Sequence, residues 1–105
     1  DKIIVILTRP LDYRKSKTNP FIFNLFYKKY PNLVNSLNRR YMNYNQTVED
    51  IIRLHDNKDI FVIRPSRTLP IKRLEKDLAK VQAMYDLGIA DGRQALGELK
   101  EYLNR

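Results

Sequence analysis

Side chains able to act as nucleophile, base or metal ligand are few, and their spacing matches no catalytic constellation. A serine nucleophile needs a sharp strand-to-helix turn flanked by glycines. The serines are Ser16, Ser36 and Ser66, and none has a glycine within two residues. Gly88, Gly92 and Gly97 match no phosphate-cradling loop and are expected at helix boundaries or close-packing positions. Cysteine is absent, which removes disulfides, thiolate metal sites and cysteine nucleophiles together. His55 is the sole histidine, and it cannot build a zinc site without Cys or carboxylate partners at helical spacing. It is expected at a surface or helix terminus, with Asp56 and Asp59 in a solvated turn.

The most functional-looking feature is a basic-aromatic stretch. Tyr13, Arg14, Lys15 and Lys17 precede Phe21, Phe23, Phe26, Tyr27, Lys28, Lys29 and Tyr30, with Arg39 and Arg40 beyond. Lys and Arg attract phosphate, and aromatic side chains sit at a membrane interface or stack on bases. A plain core helix is the competing account, because Ile22, Leu25 and Phe26 follow helical spacing. Aromatics at 21, 23, 26, 27 and 30 nevertheless cover too wide an arc for one clean apolar stripe. The expected anionic-surface contacts are Arg14, Lys15, Lys17, Lys28, Lys29, Arg39 and Arg40.

Charge follows the same division. The chain of 105 residues carries +8, and residues 1–44 hold nine Lys or Arg against two Asp, a net +7. The remainder holds eleven against ten, a net +1. A one-sided basic face suits the phosphates of lipid or nucleic acid; a compositional bias toward Asn, Lys, Ile and Tyr gives the same numbers.

The elements that must position these residues are legible from pattern. Hydrophobic residues make up 43% and run throughout, so an ordered fold is expected. Ile3 to Leu7 is a continuous apolar run closed by Thr8-Arg9-Pro10, the mark of a strand buried on both faces in a parallel sheet. Asn19-Pro20 starts a helix expected to reach about Lys29. Tyr30-Pro31 breaks or restarts it, and a stripe from Leu33 to Ile52 follows. That stripe is either one helix to about Asp56 or two, with a new start at Thr47. Ile60 to Ile63 is a second buried strand, parallel to the first because helical material separates them. Asp77 caps a helix expected over Leu78 to Leu87, with Gly88 as its C-cap. A last amphipathic helix follows with Ile89, Leu96, Leu99 and Leu103 on its apolar side, and Asp91-Gly92 reads as a helix-start signal. The fold class expected is α/β: a mostly helical piece with two short parallel strands, completing or capping a larger sheet.

No run is long and apolar enough to cross a bilayer, and no signal peptide is visible. A cytoplasmic location, with peripheral contact at the inner face of the membrane, is the expectation. The start at Asp1-Lys2 is expected of a domain cut from a longer chain.

Several blocks share one resemblance. Ile3-Ile4-Val5-Ile6-Leu7-Thr8-Arg9-Pro10 with Tyr13-Arg14-Lys15 resembles the segment after the catalytic core of bacterial patatin-like phospholipases. Phe26 to Leu33, Phe61 to Ser66, Leu74 to Asp77 and Tyr85 to Gly88 are similar to later blocks of that group, in the same order and over nearly the whole chain. The resemblance implies a lipid acyl hydrolase with an α/β fold and a Ser-Asp dyad. Its Gly-x-Ser-x-Gly and Asp-Gly-Gly or Asp-Gly-Ala motifs would lie upstream of Asp1, so no catalytic residue falls here. No metal or organic cofactor is implied. Residues 1–105 would be one C-terminal domain, with 1–10 a late strand of the catalytic sheet and 11–105 a helical accessory region holding a strand near 60–64. Its partners would be the catalytic domain of the same polypeptide and an anionic lipid surface. A small basic nucleic-acid-binding module is the rival reading, although no helix-turn-helix, zinc finger or RNA-recognition signature is present. A protein-interaction domain is the third.

Overall fold

Two short strands form because β-branched runs end in proline, which has no N–H for a ladder. In the computed structural model, which describes residues 1–105, they are β1 (Ile4–Ile6) and β2 (Phe61–Ile63). They pair in parallel with Ile4 opposite Phe61, Val5 opposite Val62 and Ile6 opposite Ile63. Between them lie α1 (Pro20–Phe26) and α2 (Pro31–Asp56), and after them α3 (Leu78–Leu103). The coarse class is thus mixed α/β.

Local chemistry sets the helix starts. The Asn19 side chain accepts from the Phe21 N–H, and Pro20 occupies the first turn. The Asp77 side chain accepts from the Ala79 N–H in the same way. Helix α1 ends at Phe26 and not at Lys29. Pro31 holds Tyr30 out of the helical region (φ −126°, ψ 74°), and the intervening residues close a turn through Tyr30 N–H to Tyr27 C=O.

Helix α2 is continuous, so the two-helix alternative falls. Thr47 sits inside it and donates its hydroxyl to the Asn43 carbonyl, the back-bond of a mid-helix threonine.

Helix α3 also runs unbroken, against the expected C-cap at Gly88 and restart at Asp91. No glycine has positive φ. Ala, Leu, Gln and Lys around these sites favour helix, and each interior glycine costs only about 1 kcal/mol relative to Ala. Nor are the glycines close-packing positions, since a Cβ built on Gly88, Gly92 or Gly97 meets nothing within 4 Å. Gly88→Ala is therefore expected to raise stability by about 0.5–1 kcal/mol, read as a higher denaturant midpoint.

The buried set is small: Ile60, Phe61 and Val62 at β2 with Tyr102 near the end of α3, and Val34, Val48 and Leu87 along α2 and α3. Tyr102 ties it together: its ring lies 5.7 Å from that of Phe61, and its hydroxyl accepts from the Ile3 N–H at 3.1 Å. The same hydroxyl is 3.2 Å from the carbonyl oxygens of Ile3 and Asp59, which share its proton. The N-terminal ends of both strands are thereby fastened to α3.

Strand β1 departs from the expectation of burial on both faces. Ile4 is 40% exposed and Ile6 72%. A single neighbouring strand covers one edge, and no helix contacts β1 broadly enough to cover its faces. The same openness holds throughout. The radius of gyration is 17.6 Å, against about 13 Å for a compact chain of this length. The accessible surface is 8624 Å², roughly 2,400 Å² above that of a compact monomer of this mass.

Candidate anion-binding surface

From Tyr13 to Val48 the chain contains no Asp or Glu, while holding all seven cations expected to contact an anionic surface. Their positions separate them into three groups.

Arg14 is spoken for. Its guanidinium pairs with Glu49 on α2 and donates to the carbonyls of Leu11 and Tyr13, which pins the β1–α1 loop to the helix. The neighbouring Asn45 side chain completes the clamp: it accepts from the Lys15 N–H at 2.8 Å and donates to the Lys15 C=O at 3.0 Å.

Lys15 and Arg40 come together. The Lys15 ammonium stands 5.0 Å from the centre of the Tyr44 ring, and that ring meets Tyr13 edge-on at 5.8 Å. With Arg40 it lines two adjoining grooves of about 190 and 420 Å³, whose other polar walls include Ser16, Ser36, Asn43 and Thr47. No carboxylate lines either groove. Two cations and several hydroxyl and amide donors without a counter-charge form a surface for phosphate-type oxygens.

Lys17, Lys28, Lys29 and Arg39 are exposed, make no ion pair, and line neither groove. Lys28 and Lys29 instead flank α1, which buries none of its seven residues. Phe21, Ile22, Leu25 and Phe26 all stand open, Phe26 at 73%. An apolar helix followed by lysines is the composition of an interfacial anchor.

A second cationic cleft was not expected from the sequence. Arg9, Arg67, Lys72 and Arg73 line a cavity of about 610 Å³ with Thr8 and Thr68, again without a carboxylate. Parallel pairing creates it, because the residues following both strands emerge at the same carboxyl end of the sheet, where α/β proteins place ligands. The matching endings Thr8-Arg9-Pro10 and Arg64-Pro65 were the available signal.

A third cleft, of about 520 Å³, gathers His55, Ser66 and Asp91. Its hydrogen bonds are structural. The Asp91 carboxylate accepts from the Ser66 N–H at 2.8 Å, and His55 Nδ1 accepts from the Val62 N–H at 3.2 Å. His55 also meets Phe61 edge-on at 5.5 Å. No Ser66 hydroxyl contact to His55 or Asp91 exists, so the nucleophile-to-base bond of a hydrolase is missing. No three His, Cys, Asp or Glu side chains gather in a metal-holding group.

A family model described as a domain of unknown function (DUF6363) matches residues 30–104, spanning α2, β2 and α3. The chain belongs to this family. In this DUF6363 member, Arg39, Arg40 and the cleft residues Arg67, Lys72 and Arg73 lie inside the matched region, whereas α1, Lys15 and Arg9 precede it. No curated protein and no solved structure matches the chain. No helix is long and apolar enough to cross a membrane.

Proposed function

We propose that this chain is the C-terminal accessory domain of a patatin-like lipid acyl hydrolase, silent alone, which adds its strands to the enzyme's sheet and holds it at anionic lipid. The observation that carries the surface-binding role is α1: a helix with no buried residue, its aromatic and aliphatic side chains open, followed by unpaired lysines. The resemblance to patatin-like phospholipases supplies the parent's chemistry, attack of an upstream serine on a lipid ester. The parent enzyme would be a cytoplasmic protein held peripherally at the inner membrane face.

Magnitudes favour two-part binding. Burying each of Phe21, Leu25 and Phe26 at an interface contributes about 1.5–3 kcal/mol. Each Lys or Arg near an anionic surface adds about 1 kcal/mol, screened by salt. Neutral vesicles forfeit the second term. The full-length product is therefore expected to co-sediment with phosphatidylglycerol vesicles at least about tenfold more strongly than with phosphatidylcholine ones, with the difference shrinking in high salt. Equal binding to both would contradict the proposal. Steeply salt-dependent binding to RNA or DNA, with no vesicle preference, would instead favour the nucleic-acid reading.

A further inference from the structure

The loop after β2 holds a charge that the half-chain totals conceal. From Ile60 to Leu74 there is no Asp or Glu, while Arg64, Arg67, Lys72 and Arg73 give +4. Arg67, Lys72 and Arg73 line the cleft at the carboxyl end of the strand pair, and Arg9 joins them from the end of β1. Like charges gathered in one cleft repel one another, a cost that a bound anion removes.

Neighbouring groups keep these cations free. None of the four takes part in an ion pair. The nearest carboxylate in sequence, Glu75, is turned to other partners: the Lys80 ammonium at 3.8 Å and the backbone N–H groups of Lys72 at 3.4 Å and Lys76 at 3.2 Å. The Arg9 guanidinium lies 4.8 Å from the centre of the Tyr13 ring, which itself rests edge-on against Tyr44 of α2. A guanidinium held over a ring keeps its N–H edge for an anion and loses less freedom in binding it. The hydroxyls of Thr8 and Thr68 add two donors, and Leu69, Ile71 and Met84 supply an apolar wall.

We propose that this cleft binds a phosphate monoester carried on an apolar body. The charge count selects the monoester. Such a group carries about −1.5 to −2 at neutral pH and three strong acceptor oxygens, whereas a diester carries a single negative charge and fewer free oxygens. Four unpaired cations and two hydroxyls match the former. The apolar wall selects an ester over free phosphate. A soluble phosphate ester and a lipid of the phosphatidic acid type share this chemistry. The site uses no residue of α1 or of the two Lys15–Arg40 grooves, and it does not rest on the hydrolase reading.

The test is titration calorimetry of the full-length product with hexyl phosphate, beside co-sedimentation with vesicles of phosphatidic acid or, at matched surface charge, phosphatidylglycerol. Arg67→Gln with Arg73→Gln is expected to weaken binding at least about tenfold, since losing one charge-assisted hydrogen bond costs roughly that factor. Its thermal stability should match the parent protein's, because both side chains are exposed. Lys28→Gln with Lys29→Gln should leave hexyl phosphate binding unchanged. Affinity should also fall between about pH 7.5 and about pH 5.5, where the monoester loses charge while Arg and Lys keep theirs. Hexyl phosphate binding without a vesicle preference assigns a soluble ester; a preference for phosphatidic acid that the arginine variant loses assigns the lipid. Binding of neither probe, binding that the arginine variant retains, or an affinity indifferent to this pH change overturns the proposal.

Discussion

Replacing Tyr102 with alanine is expected to lower stability by about 3–5 kcal/mol, the cost of truncating a buried aromatic. Tyr102 is 4% exposed, packs on Phe61, and lies beneath the Lys2 ammonium at 4.9 Å. Its loss removes the ring that joins α3 to β2 and the hydroxyl that joins α3 to Ile3 and Asp59. Tyr102→Phe keeps the ring and removes only the hydroxyl, so about 1–3 kcal/mol is expected for the backbone groups left unmatched. A small domain has about 5–15 kcal/mol in total, so the alanine variant would retain little cooperative unfolding. Urea denaturation of both variants checks the order. Equal losses would mean that the hydroxyl carries the whole effect and ring packing nothing.

The position of Tyr102 shows which parts of this molecule a sequence discloses. Caps and strand ends are chemical and local, so Asn19-Pro20, Asp77 and the two prolines after the strands were legible. The parallel pairing was legible because helical sequence separates two apolar runs. Tyr102 was not, since its two hydrogen-bonding partners, Asp59 and Ile3, lie 43 and 99 residues away. Gly88 misled for a related reason: glycine signals a helix end only where neighbours do not sustain the helix, and the neighbours here do.

Long-range contacts likewise sorted the expected site. Nothing local tells Arg14 from Lys15, yet Glu49, 35 residues on, takes the first and leaves the second beside Arg40. The cleft of Arg9, Arg67, Lys72 and Arg73 exists only once the strands pair in parallel. A run of cations reads as a charge density; which of them remain free is decided by the fold.

The second large effect concerns α1. Phe21→Ala with Phe26→Ala is expected to weaken binding to phosphatidylglycerol vesicles by roughly a hundredfold, since each ring brings about 1.5–3 kcal/mol of apolar burial to the interface. Thermal stability should barely move, because neither side chain is buried in the folded chain. This separation of effects is the useful part. A core helix would lose stability first and binding only as a consequence. Lys28→Glu with Lys29→Glu should reduce binding at low salt and converge on the parent protein at high salt, where exposed charges are screened. A double alanine variant that binds as before would remove α1 from the interface and leave the cationic grooves to account for any lipid preference.

If this chain is the accessory domain of a serine acyl hydrolase, the nucleophile is not one of its own three serines. Fluorophosphonate labelling addresses it directly, using the product of the full reading frame beside the 105-residue chain. A labelled serine in the full-length product, and none among Ser16, Ser36 and Ser66, is the expected result. An unlabelled full-length product, or a label on one of those three serines, would contradict it.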